Sequence, residues 1–71
     1  MNLHIDTLVW LNNQLDRIHL ESVRYGELLL GAIDKLSVDF YNKKLKELEN
    51  EHEIITRKIW KEKDLIESQY E

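Results

Sequence analysis

The chain contains no cysteine and no proline, and its 71 residues include only two glycines. Without cysteine, disulfides and thiolate metal sites are excluded. Without proline, no residue forces a break in a helix. The longest strongly apolar run, residues 28–33, is far shorter than the roughly 20 residues of a membrane span. The opening segment MNLHIDTLVW has no basic region and soon meets Asp6, so we expect no signal peptide and a cytoplasmic protein that does not contact membranes.

The charge balance is acidic, with 14 Asp and Glu residues against 10 Lys and Arg residues and a net charge of −4. Because non-specific nucleic-acid binding depends on a basic surface, we expect no direct nucleic-acid contact. The chain is also small, and a core of this size supplies only a few kcal/mol. Association with another chain is therefore expected, and a second copy of the same chain is the simplest partner.

Apolar residues recur in two stripes whose steps alternate between three and four residues. The first stripe consists of Leu8, Leu11, Leu15, Ile18, Ser22, Tyr25, Leu29, Ala32 and Leu36. The second consists of Tyr41, Leu45, Leu48, His52, Ile55, Ile59, Glu62, Ile66 and Gln69. This spacing keeps one face of a helix toward a partner helix. The stripes predict an all-α fold: an antiparallel two-helix hairpin, coiled-coil-like, that dimerises into a four-helix bundle.

The predicted turn covers residues 37–40 within a single domain, 1–71. Ser37 is a good N-cap residue, and Asp39 then lies in the first turn, where the helix dipole favours a negative charge. We therefore expect one helix over about 4–36 and a second over about 38–70. A rival interpretation breaks the first helix near Gly26 and gives three helices.

Folding back at this turn sets a register in which Leu36 meets Tyr41 and Ile18 faces Ile59. In the same register Tyr25 lies opposite His52. The polar residues within the two stripes, Ser22, Tyr25 and His52, are then predicted to form a polar interruption of the core that fixes the register.

Several large apolar residues lie outside both stripes. Two tryptophans and the run at 28–33 exceed the scatter of apolar residues normal for a surface. These residues either bury in a homodimer or form a groove-binding surface for a different protein. The predicted interaction residues are Trp10, Leu28, Leu30 and Trp60.

The sequence contains only weak matches to motifs of metal binding or catalysis. Glu49 and His52 form a Glu-x-x-His motif, which with Glu21 in a dimer resembles the ligand set of dimetal carboxylate bundles. A glutamate-rich helix shows this motif by chance, however, so we expect no metal and no cofactor. No phosphate-binding glycine loop or serine nucleophile motif is present, and we expect no enzymatic activity.

The function expected from these patterns is that of a small, non-enzymatic interaction module. We expect a dimeric regulator or inhibitor that binds and blocks an unidentified partner protein. The alternative is an acidic inhibitor of a DNA-processing protein that mimics DNA through Glu47, Glu49, Glu51 and Glu53. A dimeric Glu-x-x-His metal-carboxylate bundle is the third possibility.

Overall fold

The computed structural model describes residues 3–69, which form two helices that pack against each other. Helix α1 covers Leu3–Gly31 and helix α2 covers Lys35–Gln69. The helices are antiparallel and build a rod of 56 × 16 × 12 Å. The predicted all-α hairpin is confirmed. Neither helix of the described residues is long and apolar enough to cross a membrane.

The turn lies at residues 32–34, so the predicted turn at 37–40 was wrong. The cap of α2 is Asp34, whose carboxylate accepts a 3.0 Å hydrogen bond from the backbone N–H of Ser37. Ser37 therefore lies in the first turn of α2 and is not its N-cap. The bond from the Ser37 N–H, together with one from the Ser37 side chain, lowers the pKa of Asp34.

Helix α1 runs through Gly26 without a break and ends at Gly31, so the three-helix interpretation was also wrong. Gly26 costs roughly 1 kcal/mol relative to alanine, which the packing of the neighbouring stripe residues offsets. Directly after Gly31, the N–H of Ala32 donates a 3.1 Å bond to the carbonyl of Leu29 and closes a tight final turn. A glycine followed three residues later by Asp is a helix-end and helix-start signal.

Among the residues that the structure describes, the core consists of four buried side chains, and all four belong to the predicted stripes. They are Leu11, Ile18, Leu48 and Ile59. Two stripe members depart from the prediction: Leu36 is exposed because it belongs to the start of α2, and His52 is exposed on α2. The stripes thus identify the facing sides of both helices but not every residue between them.

The register differs from the predicted one, as three cross-helix pairs show. The Tyr25 and Tyr41 rings lie 6.2 Å apart, and Arg17 contacts Glu51 at 3.2 Å. The third pair, His4 and Glu62, lies near the other end. In an antiparallel hairpin, the numbers of two residues at the same level have a nearly constant sum. For these pairs the sum is 66–68, whereas the predicted pair of Leu36 and Tyr41 requires 77. Ile18 therefore lies level with Leu48, not with Ile59.

Candidate interaction surfaces

One long side of the hairpin is marked by an ion pair between the helices. The guanidinium of Arg17 contacts Glu21 on its own helix and Glu51 on α2, each at 3.2 Å. Steps of three and four residues from Arg17 and Glu51 define the rows of this side. This surface, called the Arg17 side, consists of Trp10, Gln14, Arg17, Glu21, Arg24 and Leu28 on α1 and Phe40, Lys44, Glu47, Glu51, Ile54, Lys58, Lys61 and Leu65 on α2.

Cations outnumber anions on the Arg17 side. The hydrogen bonds that Arg17 donates to Glu51 and to Glu21 raise the pKa of Arg17, which stays fully charged. Lys44 lies 3.6 Å from Glu47 and 5.6 Å from the centre of the Phe40 ring. With Arg24, Lys58 and Lys61, this side carries five cations and three anions, so its net charge is +2.

The opposite side, called the groove side, contains an open groove of about 420 Å³. It is lined by Leu15, Asp16, Ile18, His19 and Ser22 of α1 and by Leu45, Leu48, Glu49 and His52 of α2. The polar residues of the lining form the same pattern on both helices, an acidic residue followed three positions later by a histidine. On α1 these residues are Asp16 and His19, and on the antiparallel α2 they are Glu49 and His52. Asp16 thus lies at the level of His52, and His19 at the level of Glu49.

The titratable residues of the groove are unpaired among the residues that the structure describes. Within residues 3–69, Asp16, His19, Glu49 and His52 make no hydrogen bond or ion pair. The same stretch holds no group of three His, Asp or Glu side chains able to bind a metal. Glu21, the third residue of the sequence-based metal motif, pairs with Arg17 on the other side. The groove is therefore a polar surface with solvated charges.

Asp16, His19 and Ser22 are the residue types of a hydrolase triad and share the groove. A triad requires a hydrogen bond from the serine hydroxyl to the imidazole and from the imidazole to the carboxylate. Neither bond is formed between these three residues. The groove thus supplies no activated nucleophile in this arrangement.

The predicted interaction residues do not form one patch. Trp10 and Leu28 lie on the Arg17 side, seven residues before and eleven residues after Arg17. Leu30 and Trp60 lie on the groove side, each eleven residues after a groove residue, His19 and Glu49. Trp10 is 56% exposed and Trp60 61% exposed. Two separate surfaces therefore each carry one tryptophan.

The predicted polar core of Ser22, Tyr25 and His52 is not formed as one cluster. Ser22 and Tyr25 are half-buried, and His52 is exposed. Tyr25 does not lie opposite His52, because the actual register places its ring against Tyr41. Ser22 and His52 do share the groove. Of these three residues, only Tyr25 belongs to a pair that marks the register, together with the Arg17–Glu51 and His4–Glu62 pairs.

The end of the hairpin carries an apolar surface that the sequence patterns indicated only in part, through the run at 28–33. Among the described residues, the three most exposed large apolar side chains lie in the turn or beside it: Leu30 at 88%, Ile33 at 98% and Leu36 at 82%. We call these three residues the tip. Leu30 was a predicted interaction residue, but the sequence did not group it with Ile33 and Leu36, because that grouping requires the turn to lie at residues 32–34. Gly31 followed by Asp34 is the sequence signal that places the turn there.

The glutamates considered as a DNA-like row are mostly paired with cations. Glu47 contacts Lys44, Glu51 contacts Arg17 and Glu53 contacts Arg57. Glu49 lies on the groove side, away from Glu51. These pairs neutralise the charge that a phosphate-like row requires, so the structure offers no specific support for the DNA-mimicking alternative.

Comparison with known proteins adds no relative on which to base a function. No protein-family model, no curated protein and no solved structure matches the chain. Function must therefore be argued from the surfaces themselves.

Proposed function

We propose that this chain is a cytoplasmic, non-enzymatic interaction module that forms a homodimeric four-helix bundle. In this role it acts as a regulator or inhibitor by binding and blocking a partner protein. The observation that carries the proposal is the imbalance between core and surface: among the described residues, four large apolar side chains are buried and thirteen are at least 41% exposed. The cytoplasmic location remains an expectation from the sequence.

The accessible surface supports self-association. The chain exposes 5859 Å², whereas a compact monomer of 8.6 kDa exposes about 4,700 Å². A compact dimer of twice this mass exposes about 7,800 Å², so assembly from two hairpins buries roughly 3,900 Å². This area falls within the range of about 2,000–5,000 Å² that obligate homodimers bury. A second copy thus supplies the core that one hairpin lacks.

The tip supports binding of a different protein. Packing of two rods side by side covers a long side of each hairpin and leaves its end accessible. Leu30, Ile33 and Leu36 remain exposed there, and large exposed apolar side chains grouped around one turn favour an interaction site. Burial of these three side chains in a partner's groove contributes roughly 1.5–3 kcal/mol for each.

The first experiment is the mass of the free chain by sedimentation equilibrium over a range of concentrations. We expect about 17 kDa, which is twice the 8.6 kDa chain mass. A mass that stays at that of one chain up to high micromolar concentration would contradict the homodimer.

The second experiment tests partner binding and separates the apolar mode from DNA mimicry. The wild-type chain and a Leu30→Ser variant are used to capture proteins from the native host at low and high ionic strength. We expect a partner that binds the wild type at both salt concentrations and is lost with the variant. Binding that weakens steeply with salt and is retained by the variant would favour the DNA-mimicking alternative.

A further inference from the structure

We infer that the partner bound at the tip presents a lysine or arginine side chain, which enters an acidic pocket beside the turn. The assignment rests on the partner binding proposed above and adds the chemistry of that partner. The pocket, called the turn pocket, is open and measures about 370 Å³. It lies between the end of α1 and the start of α2, and Ile33 of the tip is part of its lining.

The charged residues of the turn pocket are both acidic. They are Glu27 and Asp34, and no lysine, arginine or histidine of the described residues lines the pocket with them. Within residues 3–69, Glu27 makes no hydrogen bond or ion pair. Asp34 accepts the hydrogen bond from the Ser37 N–H, which lowers the pKa of Asp34 and keeps its carboxylate ionised near neutral pH. The pocket therefore presents two carboxylates without a cation.

The end of α1 adds negative partial charge at the same place. The last turn of a helix carries carbonyl groups without intrahelical partners and the negative end of the helix dipole. Within the described residues, one backbone bond is made to these carbonyls from beyond the helix, by Ala32 to Leu29. The last turn of α1 contains no basic residue. A cation from another chain is therefore stabilised here, as lysine and arginine are at the C-terminal ends of helices.

The nearest cations of the chain itself do not occupy this position. Arg24 lies one turn before Glu27, and Lys35 directly follows Asp34. Neither lines the turn pocket, and neither forms an ion pair among the described residues. Both weaken the attraction of a distant cation, but solvent and salt screen that effect. A side chain inside the pocket contacts the carboxylates directly, where the Coulomb interaction is strongest.

The rest of the lining favours a long cationic side chain over a free ion. Leu28, Ile33 and Tyr41 supply apolar surface. Lysine and arginine pack their aliphatic stems on such surface while their charged ends remain at polar groups. Gly31 leaves open space beside its backbone, since a Cβ atom there would meet nothing within 4 Å. The partner therefore combines apolar surface for the tip with a basic residue for the turn pocket.

Two short peptides serve as probes of this chemistry. One alternates leucine with arginine, and the other has glutamate in place of each arginine. Each is titrated to millimolar concentration against the isotope-labelled chain, and amide chemical shifts are followed by NMR. We expect the arginine peptide to shift the amides of residues 27–37 and to bind at least about tenfold more tightly than the glutamate peptide.

A matched pair of variants separates the turn pocket from the general acidity of the chain. Glu27→Gln removes an exposed carboxylate of the pocket, and Glu67→Gln makes the same change of charge near the open end of the hairpin. We expect Glu27→Gln to weaken binding of the arginine peptide at least about threefold and Glu67→Gln to weaken it less than about 1.5-fold. Circular dichroism checks that both variants remain helical.

The other outcomes overturn the assignment. Equal effects of the two substitutions, or shifts away from the turn, would show that the arginine peptide responds to overall charge. A glutamate peptide that binds the turn equally well, and is lost with Leu30→Ser, would exclude a basic partner while it supports the apolar contact of the proposed function. If neither peptide shifts the turn, the basic partner is also excluded, and the capture experiment above still tests the proposed function separately.

Discussion

His4 and Glu62 are 58 positions apart in the chain, yet Nδ1 of His4 lies 2.6 Å from Oε2 of Glu62. The pair joins the two helices near the open end of the hairpin, and the Tyr25–Tyr41 ring contact joins them nearer the turn. Glu62 is a charged residue within the second apolar stripe, and its partner His4 lies on the other helix.

Removal of this pair should destabilise the hairpin modestly. Glu62→Ala is expected to lower the free energy of unfolding by about 0.5–1 kcal/mol, because both side chains are partly exposed and solvent screens their interaction. The measurement is urea denaturation at fixed chain concentration. In a His4→Ala background the same substitution should cost less, and equal costs in both backgrounds would show that the two residues do not interact.

The buried stripe residues should dominate stability. Ile18→Ala removes a side chain that is 2% exposed and should cost about 2–4 kcal/mol, which is a large share of the stability of so small a fold. Leu20→Ala is the matched control on the same helix, since Leu20 is well exposed and its truncation should cost less than about 0.5 kcal/mol. Thermal melts followed by circular dichroism at equal chain concentrations compare them, and similar losses for both variants would contradict the described packing.

The cap of α2 should depend on Asp34 and not on Ser37. Asp34→Ala is expected to lower the Tm by roughly 5 °C. Ser37→Ala should have a smaller effect, because the backbone N–H that bonds Asp34 remains. If Ser37→Ala were the more damaging change, the turn would lie nearer to the position predicted from the sequence.

The same cap should make stability depend on pH. The pKa of Asp34 is lower in the folded state than its ordinary value of 3.8. Its contribution is therefore fully present above that value and is lost as the pH falls through the lower, folded-state pKa. Asp34→Asn, which preserves capping without a charge, should match the wild type at pH 7 and lose less stability in acid. Parallel acid-induced losses in both proteins would show that Asp34 is not responsible.

The tip should be dispensable for folding. Ile33→Ser changes the most exposed of the large apolar side chains and should alter the free energy of unfolding by less than about 0.5 kcal/mol. It should also leave the dimer mass unchanged while it weakens partner binding at least about tenfold. Titration of a captured partner against the variant and the wild type measures this, and loss of the dimer would show that the tip lies in the self-association interface.

The two stripes determined that this chain forms a pair of packed helices, and the four buried residues Leu11, Ile18, Leu48 and Ile59 all lie on them. The sequence also contains signals for the turn, because Gly31 favours the end of a helix and Asp34 favours the start of one. Ser37 is an equally good N-cap residue, however, so these signals do not fix the position of the turn. The sequence patterns therefore specified the facing surfaces and left the connection ambiguous.

The tertiary structure alone decided the register. The actual and predicted registers differ by about ten residues, which is close to three turns of a helix at 3.6 residues for each turn. A shift of this size returns the same stripe to the same side, so the apolar period cannot distinguish the two pairings. It does change which residues meet, because Tyr25 packs on Tyr41 and does not lie opposite His52.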